Sequence, residues 1–209
     1  RYIFYILSNP AYMDEFDLIT ALCMGVGLSA AAGFRVFLPP FMLSVLMRTS
    51  LIDVNLDGTE FEIFDSNISI FLLGIATISE FLGYYVPWID NLLDTIASPA
   101  SVLAGFLMTM MVLEGNTDPI IQWILAIIAG GGVSGVIQGA TVATRAASTF
   151  MTAGLGNPVI ATSENLATII LTILALIFPI IACLIVIILI CYVLSKLKNK
   201  RKEDTTLIN

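Results

Sequence analysis

Apolar runs long enough to cross a bilayer leave this chain few folds to choose from. A hydrocarbon core takes about 20 helical residues to span. Only helices and closed barrels can do so, because every backbone polar group must be satisfied without water. Five segments reach or approach that length: A (about 17–48), B (about 68–86), C (about 99–113), D (about 120–153) and E (about 164–194). Barrel strands would show as short alternating runs, and the sequence has none. The chain is 58% hydrophobic and 12% charged, too apolar for a soluble domain. The expected fold is therefore all-α: a polytopic transmembrane helix bundle of about five to six spans. No polar linker divides it, so 1–209 reads as one transmembrane domain.

Several segments carry their own breaks. Segment A exceeds one span and holds Pro39-Pro40, where missing backbone donors should kink or break the helix. Segment D is also too long for one straight span, and Gly130-Gly131-Gly132 is its expected weak point. Segment C opens at Pro99, and Leu155-Gly156-Asn157-Pro158 separates D from E. Tyr84-Tyr85-Val86-Pro87-Trp88 closes segment B as an interfacial aromatic anchor. Residues 1–14 break at Asn9-Pro10, show no cleavage signal, and read as lying at the membrane interface.

The formal charge of −7 is unevenly placed. Asp53, Asp57, Glu60, Glu62 and Asp65 crowd the 51–66 loop, and Lys196, Lys198, Lys200, Arg201 and Lys202 crowd the tail at 195–209. A short juxtamembrane basic run is a topology signal and a contact for anionic lipid, not a nucleic-acid surface. The positive-inside rule places the tail in the cytoplasm. Five spans would then put the N-terminus outside and the acidic loop inside. The chain has no histidine, which excludes imidazole metal sites, haem ligation by histidine and histidine relays. Cys23, Cys183 and Cys191 lie in apolar segments without paired spacing, as small hydrophobes rather than ligands. No metal or cofactor is expected.

Segment D has two unlike faces at helical spacing. Gly131, Gly135, Gly139, Ala143 and Ala147 fall four apart, a groove of small residues suited to helix packing. The other face carries Ser134, Gln138, Thr141, Arg145, Ser148 and Thr152, a polar stripe with one full charge. A charge in a spanning segment is costly and turns toward a cavity or a partner. Segment A echoes this pattern at an offset of 110: Gly25, Ser29, Gly33 and Arg35 fall on Gly135, Gly139, Ala143 and Arg145. Ser79-Glu80 and Ser163-Glu164 follow the two arginines in turn. Halves 17–114 and 120–194 thus read as an inverted repeat with broken helices, as in some transporters. The candidate solute path or buried ion pairs are Arg35, Glu80, Arg145 and Glu164, with Gln138, Thr141, Ser134 and Ser148 beside them. The candidate packing positions are Gly25, Ser29, Gly33, Gly131, Gly135, Gly139 and Ala143. Asp90 and Asp94 share one face of a short amphipathic turn and read as a solvated face, two carboxylates being a thin cation site.

The order of motifs resembles a bacterial family of integral membrane proteins known as a domain of unknown function. It is carried by the Ala-rich run ending in Arg35, then Glu80…Pro87-Trp88-Ile89-Asp90…Asp94…Pro99…Gly105, then Gly156-Asn157-Pro158…Ser163-Glu164. The likeness covers roughly residues 18–175. It implies a multi-span bacterial inner-membrane protein and supplies no activity. It also implies an Asp-Lys pair where this chain has Tyr84 and Tyr85.

No His-Glu-x-x-His, Gly-x-Ser-x-Gly or phosphate loop is present, so an enzyme is not expected. Two functions remain. Paired intramembrane arginines and glutamates beside a polar stripe fit a small-solute or ion transporter or channel. The small-residue stripes and the apolar segment E fit a non-catalytic accessory or scaffold subunit. Expected partners are membrane lipids and either further copies of the chain or other membrane subunits.

Overall fold

The computed structural model describes residues 15–49, 58–115 and 117–208. The interfacial stretch 1–14, Asp53, Asp57 and the side chains of Trp88, Asp90, Lys200, Arg201 and Lys202 lie outside the described residues. Among those described, the chain forms seven helices and no strand: α1 (Glu15–Phe34), α2 (Leu38–Arg48), α3 (Asn67–Gly83), α4 (Pro87–Leu113), α5 (Pro119–Thr152), α6 (Asn157–Ile177) and α7 (Pro179–Ile208). A short 3-10 turn, Glu62–Asp65, precedes α3. Four stretches are long and apolar enough to cross a membrane: Leu92–Leu113, Pro119–Thr152, Asn157–Ile177 and Pro179–Lys196. The apolar parts of α1, α2 and α3 are shorter.

Local chemistry fixes most of the boundaries. Ser66 caps α3 by accepting from the Ser69 amide, and Asp118 caps α5 by accepting from Ile120, with Pro119 following where no amide is needed. α5 ends in a left-handed pair, Ala153 (φ 52) and Gly154 (φ 87), which closes the helix and turns the chain into α6. Segment A breaks at residues 35–37, not at Pro39-Pro40. The prolines lie in the first turn of α2, where a missing donor costs nothing. Segment D stays continuous, but widens into a π-helical stretch, Ala126–Gly131, so its glycines loosen the helix without ending it.

Two further segments differ from expectation. Segment E is two helices, not one, because Phe178 leaves helical geometry and Pro179 starts α7. Segment C begins at Pro87 rather than Pro99, and Pro99 is accommodated inside α4.

The central element is α1, which packs against α4, α5, α6 and α7. Leu28, Ala30, Ala31 and Ala32 are fully buried there. Small residues allow the approach. A Cβ on Gly33 would come within 2.7 Å of the Ser134 carbonyl and of Ile137. The α4–α5 crossing is tighter: a Cβ on Gly130 would lie 2.6 Å from the Gly105 carbonyl, and one on Gly105 would collide with Ser134 Oγ. Segment D's small-residue stripe packs only in part. Gly131 and Gly135 approach Val102, whereas Gly139 meets nothing within 4 Å and Ala143 is exposed. The inward face of α5 is instead the polar one, because Ser134, Gln138, Thr141 and Arg145 are buried.

Candidate functional site

Arg35 and Arg145, far apart in sequence, converge where helices end or break. Arg35 follows the last residue of α1, at its break. Asp94, Arg145 and Glu164 each stand seven residues from a helix end: Pro87 to Asp94, Arg145 to Thr152, and Asn157 to Glu164. Since α4 and α6 run against α5, those ends share one face of the bundle. The charges therefore lie about 10 Å inside it, at ~1.5 Å per residue.

Glu164 joins the two arginines. Its Oε2 is 3.2 Å from Arg35 Nη2 and 3.5 Å from Arg145 Nη2. Arg145 Nη1 also pairs with Asp94 Oδ1 at 2.9 Å. Arg35 donates from Nε to Asn165 Oδ1 and from Nη2 to the Ala161 carbonyl at 3.1 Å. Both guanidiniums lie over the ring of Tyr84, at 3.9 and 4.1 Å from its centroid. Arg35 is 0% exposed and Arg145, like Tyr84, 2%, so these are desolvated contacts. A guanidinium over an aromatic face in such a place gains more than at a surface.

Glu80 has a different role from the one its spacing suggests. It does not bond Arg35. Its carboxylate accepts from the amides of Val36 at 2.8 Å and Phe37 at 3.1 Å, the donors exposed where α1 gives way to α2. A carboxylate at a helix N-terminus satisfies those donors and meets the positive end of the helix dipole. Of the expected couples, Arg145 with Glu164 is present, whereas Arg35 pairs with Glu164 in place of Glu80, so that Glu164 serves both arginines.

From Ser134 to Arg145 the polar stripe of α5 is buried, whereas Ser148 is half-buried and Thr152 exposed. Ser134 Oγ donates to the carbonyls of Gly130 and Gly131, and Thr141 Oγ1 donates to that of Gln138. Thr141 Oγ1 also accepts a long bond, 3.5 Å, from Arg145. Ser148 lies apart from the cluster, beside the α5–α6 turn, where its hydroxyl limits the space around Gly156. The segment A stripe does close packing: Ser29 Oγ donates to the Gly105 carbonyl and contacts Thr109 Oγ1, both at 2.8 Å, and Gly25 also packs on Thr109.

Three members of the cluster were not apparent from sequence. Tyr84, read as an interfacial anchor, is buried between the charges. Asp94, read as solvated, is 8% exposed and holds Arg145. Asn165 was hidden in an apolar run. The available signals were spacings: Tyr84 lies one turn beyond Glu80, and Asn165 adjoins Glu164. Tyr85, by contrast, is exposed, its hydroxyl 2.9 Å from that of Thr162.

Two cavities flank the network. One, of about 290 Å³, opens between α4 and α5 and is lined by Asp94, Thr95, Ser98, Val142 and Ala146. The other, of about 200 Å³, has an apolar lining that includes Val36, Phe37, Pro40, Phe64, Leu103 and Met108. Among the described residues no three metal-ligating side chains come together.

An all-helical bundle with four bilayer-length apolar helices and a buried charge network is a polytopic membrane protein. Its family follows from sequence comparison. A model of the family described as a domain of unknown function (DUF4126) matches residues 22–199, and the chain belongs to that family. No curated protein and no solved structure matches.

Proposed function

We propose that this protein is a small-solute transporter or channel of the bacterial inner membrane, with the charge network as its gate. The observation that carries the reading is Glu164 shared between two buried arginines at a helix break. Discontinuous helices with charges at the break are how many transporters build a site that alternates between two arrangements. Here Arg35 and Arg145 act as gate charges, because their guanidiniums are already engaged by Glu164, Asp94 and Tyr84. Exchange of Glu164 between two cations is the kind of bistable event that gating needs. The repeat halves 17–114 and 120–194 would each bring one arginine to Tyr84. With α6 and α7 each crossing once, the basic tail returns to the face nearest the cluster, which the positive-inside rule makes cytoplasmic.

Flux into proteoliposomes tests this. Wild-type protein should pass small ions or polar solutes above protein-free vesicles, and Arg145→Ala, shown to be folded, should change the rate. Equal leakage from both, across small anions and small cations alike, defeats the proposal.

A second reading, an accessory subunit without catalysis, is favoured by the outward face of α5. A Cβ on Gly139 would meet no other part of the protein within 4 Å, and Ala143 and Ala147 are exposed, so a partner helix could lie close there. Native gels in mild detergent decide. A monomer unaffected by Gly139→Leu removes that reading.

A further inference from the structure

We propose that α1 and α2 form a re-entrant hairpin, inserted from the face of the acidic loop, whose tip at Arg35–Phe37 seals the bundle against that face. Three sets of contacts fix the direction of the helices. Gly25 packs on Thr109, Ser29 bonds the Gly105 carbonyl, and Val36 and Phe37 share a cavity wall with Ala100. Going forward along α1 therefore means going backward along α4. α3 also runs against α4, since Gly83 lies against Ile89 and Leu93, and Leu73 shares the cavity wall with Leu103. α1 and α3 point the same way.

α2 points the other way. The Val36 and Phe37 amides, just before it, meet Glu80 near the end of α3. Phe41 then lies against Gly74 in the middle of α3. Arg48, the last residue of α2, donates from Nε to Oδ1 of Asn67, the first residue of α3, at 3.1 Å. The chain thus ascends α1, turns at residues 35–37 and descends α2 to the face it came from. Segment A, long enough for one crossing, is spent on two arms.

The lengths agree. The apolar stretch of α1, Leu18–Phe34, and the 11 residues of α2 reach about 25 and ~16 Å at ~1.5 Å per residue, short of a hydrocarbon core of ~30 Å. Non-helical backbone at such depth is tolerated inside protein or beside water, and Arg35 and Val36 are buried. Between the tip and the acidic loop the filling is apolar. Leu28, Ala31, Leu43, Met47 and Met108 belong to one buried cluster, and the cavity walled by Val36, Phe37 and Pro40 is lined by apolar residues alone. A constriction of this kind stops ions and water by staying dry.

The charge network lies on the far side of that plug, near the face of the α5–α6 turn. The seal rests on the transport reading for its purpose and gives it a direction: in this conformation the path is closed toward the acidic loop. The hairpin itself stands without that reading.

Sided labelling of the full-length protein tests the hairpin. Glu15→Cys, at the start of α1, Glu60→Cys, in the acidic loop, and Leu155→Cys, in the α5–α6 turn, are made singly. The wild type, whose cysteines lie in apolar segments, gives the background. A membrane-impermeant maleimide is applied to intact cells and, separately, to inverted membrane vesicles. E15C and E60C should react in the same preparation and L155C in the other. E15C and E60C reacting in opposite preparations means that segment A crosses, and overturns the proposal, as does L155C reacting together with both. The seal is read as leak of small ions from reconstituted vesicles. Val36→Gly, which removes an apolar side chain at the tip, should leak several-fold faster than wild type, and Ile75→Ala, on the exposed face of α3, should not. Equal leak from V36G and wild type, with the labelling pattern of the hairpin retained, overturns the seal. A wild type without flux, but with the expected labelling and a leaking V36G, would sink transport and leave the hairpin and its seal. Flux with E15C and E60C on opposite faces would sink the hairpin and leave transport.

Discussion

Replacing Glu164 by glutamine keeps the shape of the side chain and removes the charge that two buried guanidiniums share. At 3.2 and 3.5 Å, each attraction is on the order of 5 kcal/mol at an effective dielectric of about 20. Desolvation of the ions offsets much of that. Removing one partner from a buried network typically costs about 3–5 kcal/mol, because the remaining charge stays buried and uncompensated. Arg35 bears most of this loss. Without Glu164 its hydrogen bonds run to Asn165 and the Ala161 carbonyl, both neutral, whereas Arg145 retains Asp94. At about 2–4 °C per kcal/mol for a chain of this length, E164Q should melt about 6–20 °C below wild type in detergent. D94N should cost less, since Arg145 keeps Glu164 and Asp94 borders a cavity. The double replacement R35M/E164L removes cation and anion together and should recover more than half of the loss. Thermal unfolding followed by circular dichroism reads all three variants. An E164Q protein melting within about 2 °C of wild type, or a D94N protein less stable than E164Q, would refute the bridging role.

Glu80→Gln replaces a carboxylate that accepts two amides with a group that has one acceptor oxygen, stranding one donor at the α1–α2 break. The expected loss is about 1–3 kcal/mol, with faster hydrogen exchange at Val36 and Phe37; unchanged exchange there argues against the cap. Tyr84→Phe keeps the ring beneath both guanidiniums and should melt within about 1 kcal/mol of wild type, whereas Tyr84→Leu loses two desolvated cation–π contacts, about 2 kcal/mol each. Equal melting of Y84F and Y84L would show that the ring's face carries nothing. Gly105→Leu, at the α4–α5 crossing, should cost about 1–3 kcal/mol or prevent folding, while Gly139→Leu, with open space around it, should stay within about 0.5 kcal/mol in a monomer; the reverse order in a detergent melt would overturn the assignment of the packed face.

Membrane residence, helical architecture and the two arginines were legible because each follows from a local property. Apolar run length announces a span, and an arginine inside one announces burial. Partners were less legible. Arg35 was expected to take Glu80, the acid in the next apolar segment of its own half, but it takes Glu164 of the other half, and only the three-dimensional approach of α1 to α6 shows this. The stripe on α5 was misassigned for a related reason. Among lipids, small residues and polar residues compete for the inward face. The glycines nearest the π-helical stretch pack, while Gly139 and Ala143 turn outward and yield the interior to Gln138, Thr141 and Arg145. Pro39-Pro40 and Pro99 misled in opposite ways. Proline is harmless in a first helical turn and tolerated inside a long helix in lipid, so neither marks the break. Arg35-Val36-Phe37 does, and nothing in those three residue types advertises it.

What makes that break stable is chemistry supplied from elsewhere in the chain. Opening a helix inside an apolar bundle exposes amides on one side and leaves a charge on the other. Glu80 of α3 meets the amides of Val36 and Phe37, and Arg35 reaches the Ala161 carbonyl, Asn165 and Glu164 of α6. A discontinuity met on both sides by polar groups from other helices leaves neither its amides nor its charge stranded. Had α1 run straight into α2, the Val36 and Phe37 amides would have been bonded within the helix, and Glu80 would have had no donors to meet there. Because Glu164 Oε2 already lies within reach of both guanidiniums, a rotamer change at Arg35 or Arg145 is enough to redistribute it between its two cations. That economy of motion is the physical basis for reading the cluster as a gate rather than as a rivet.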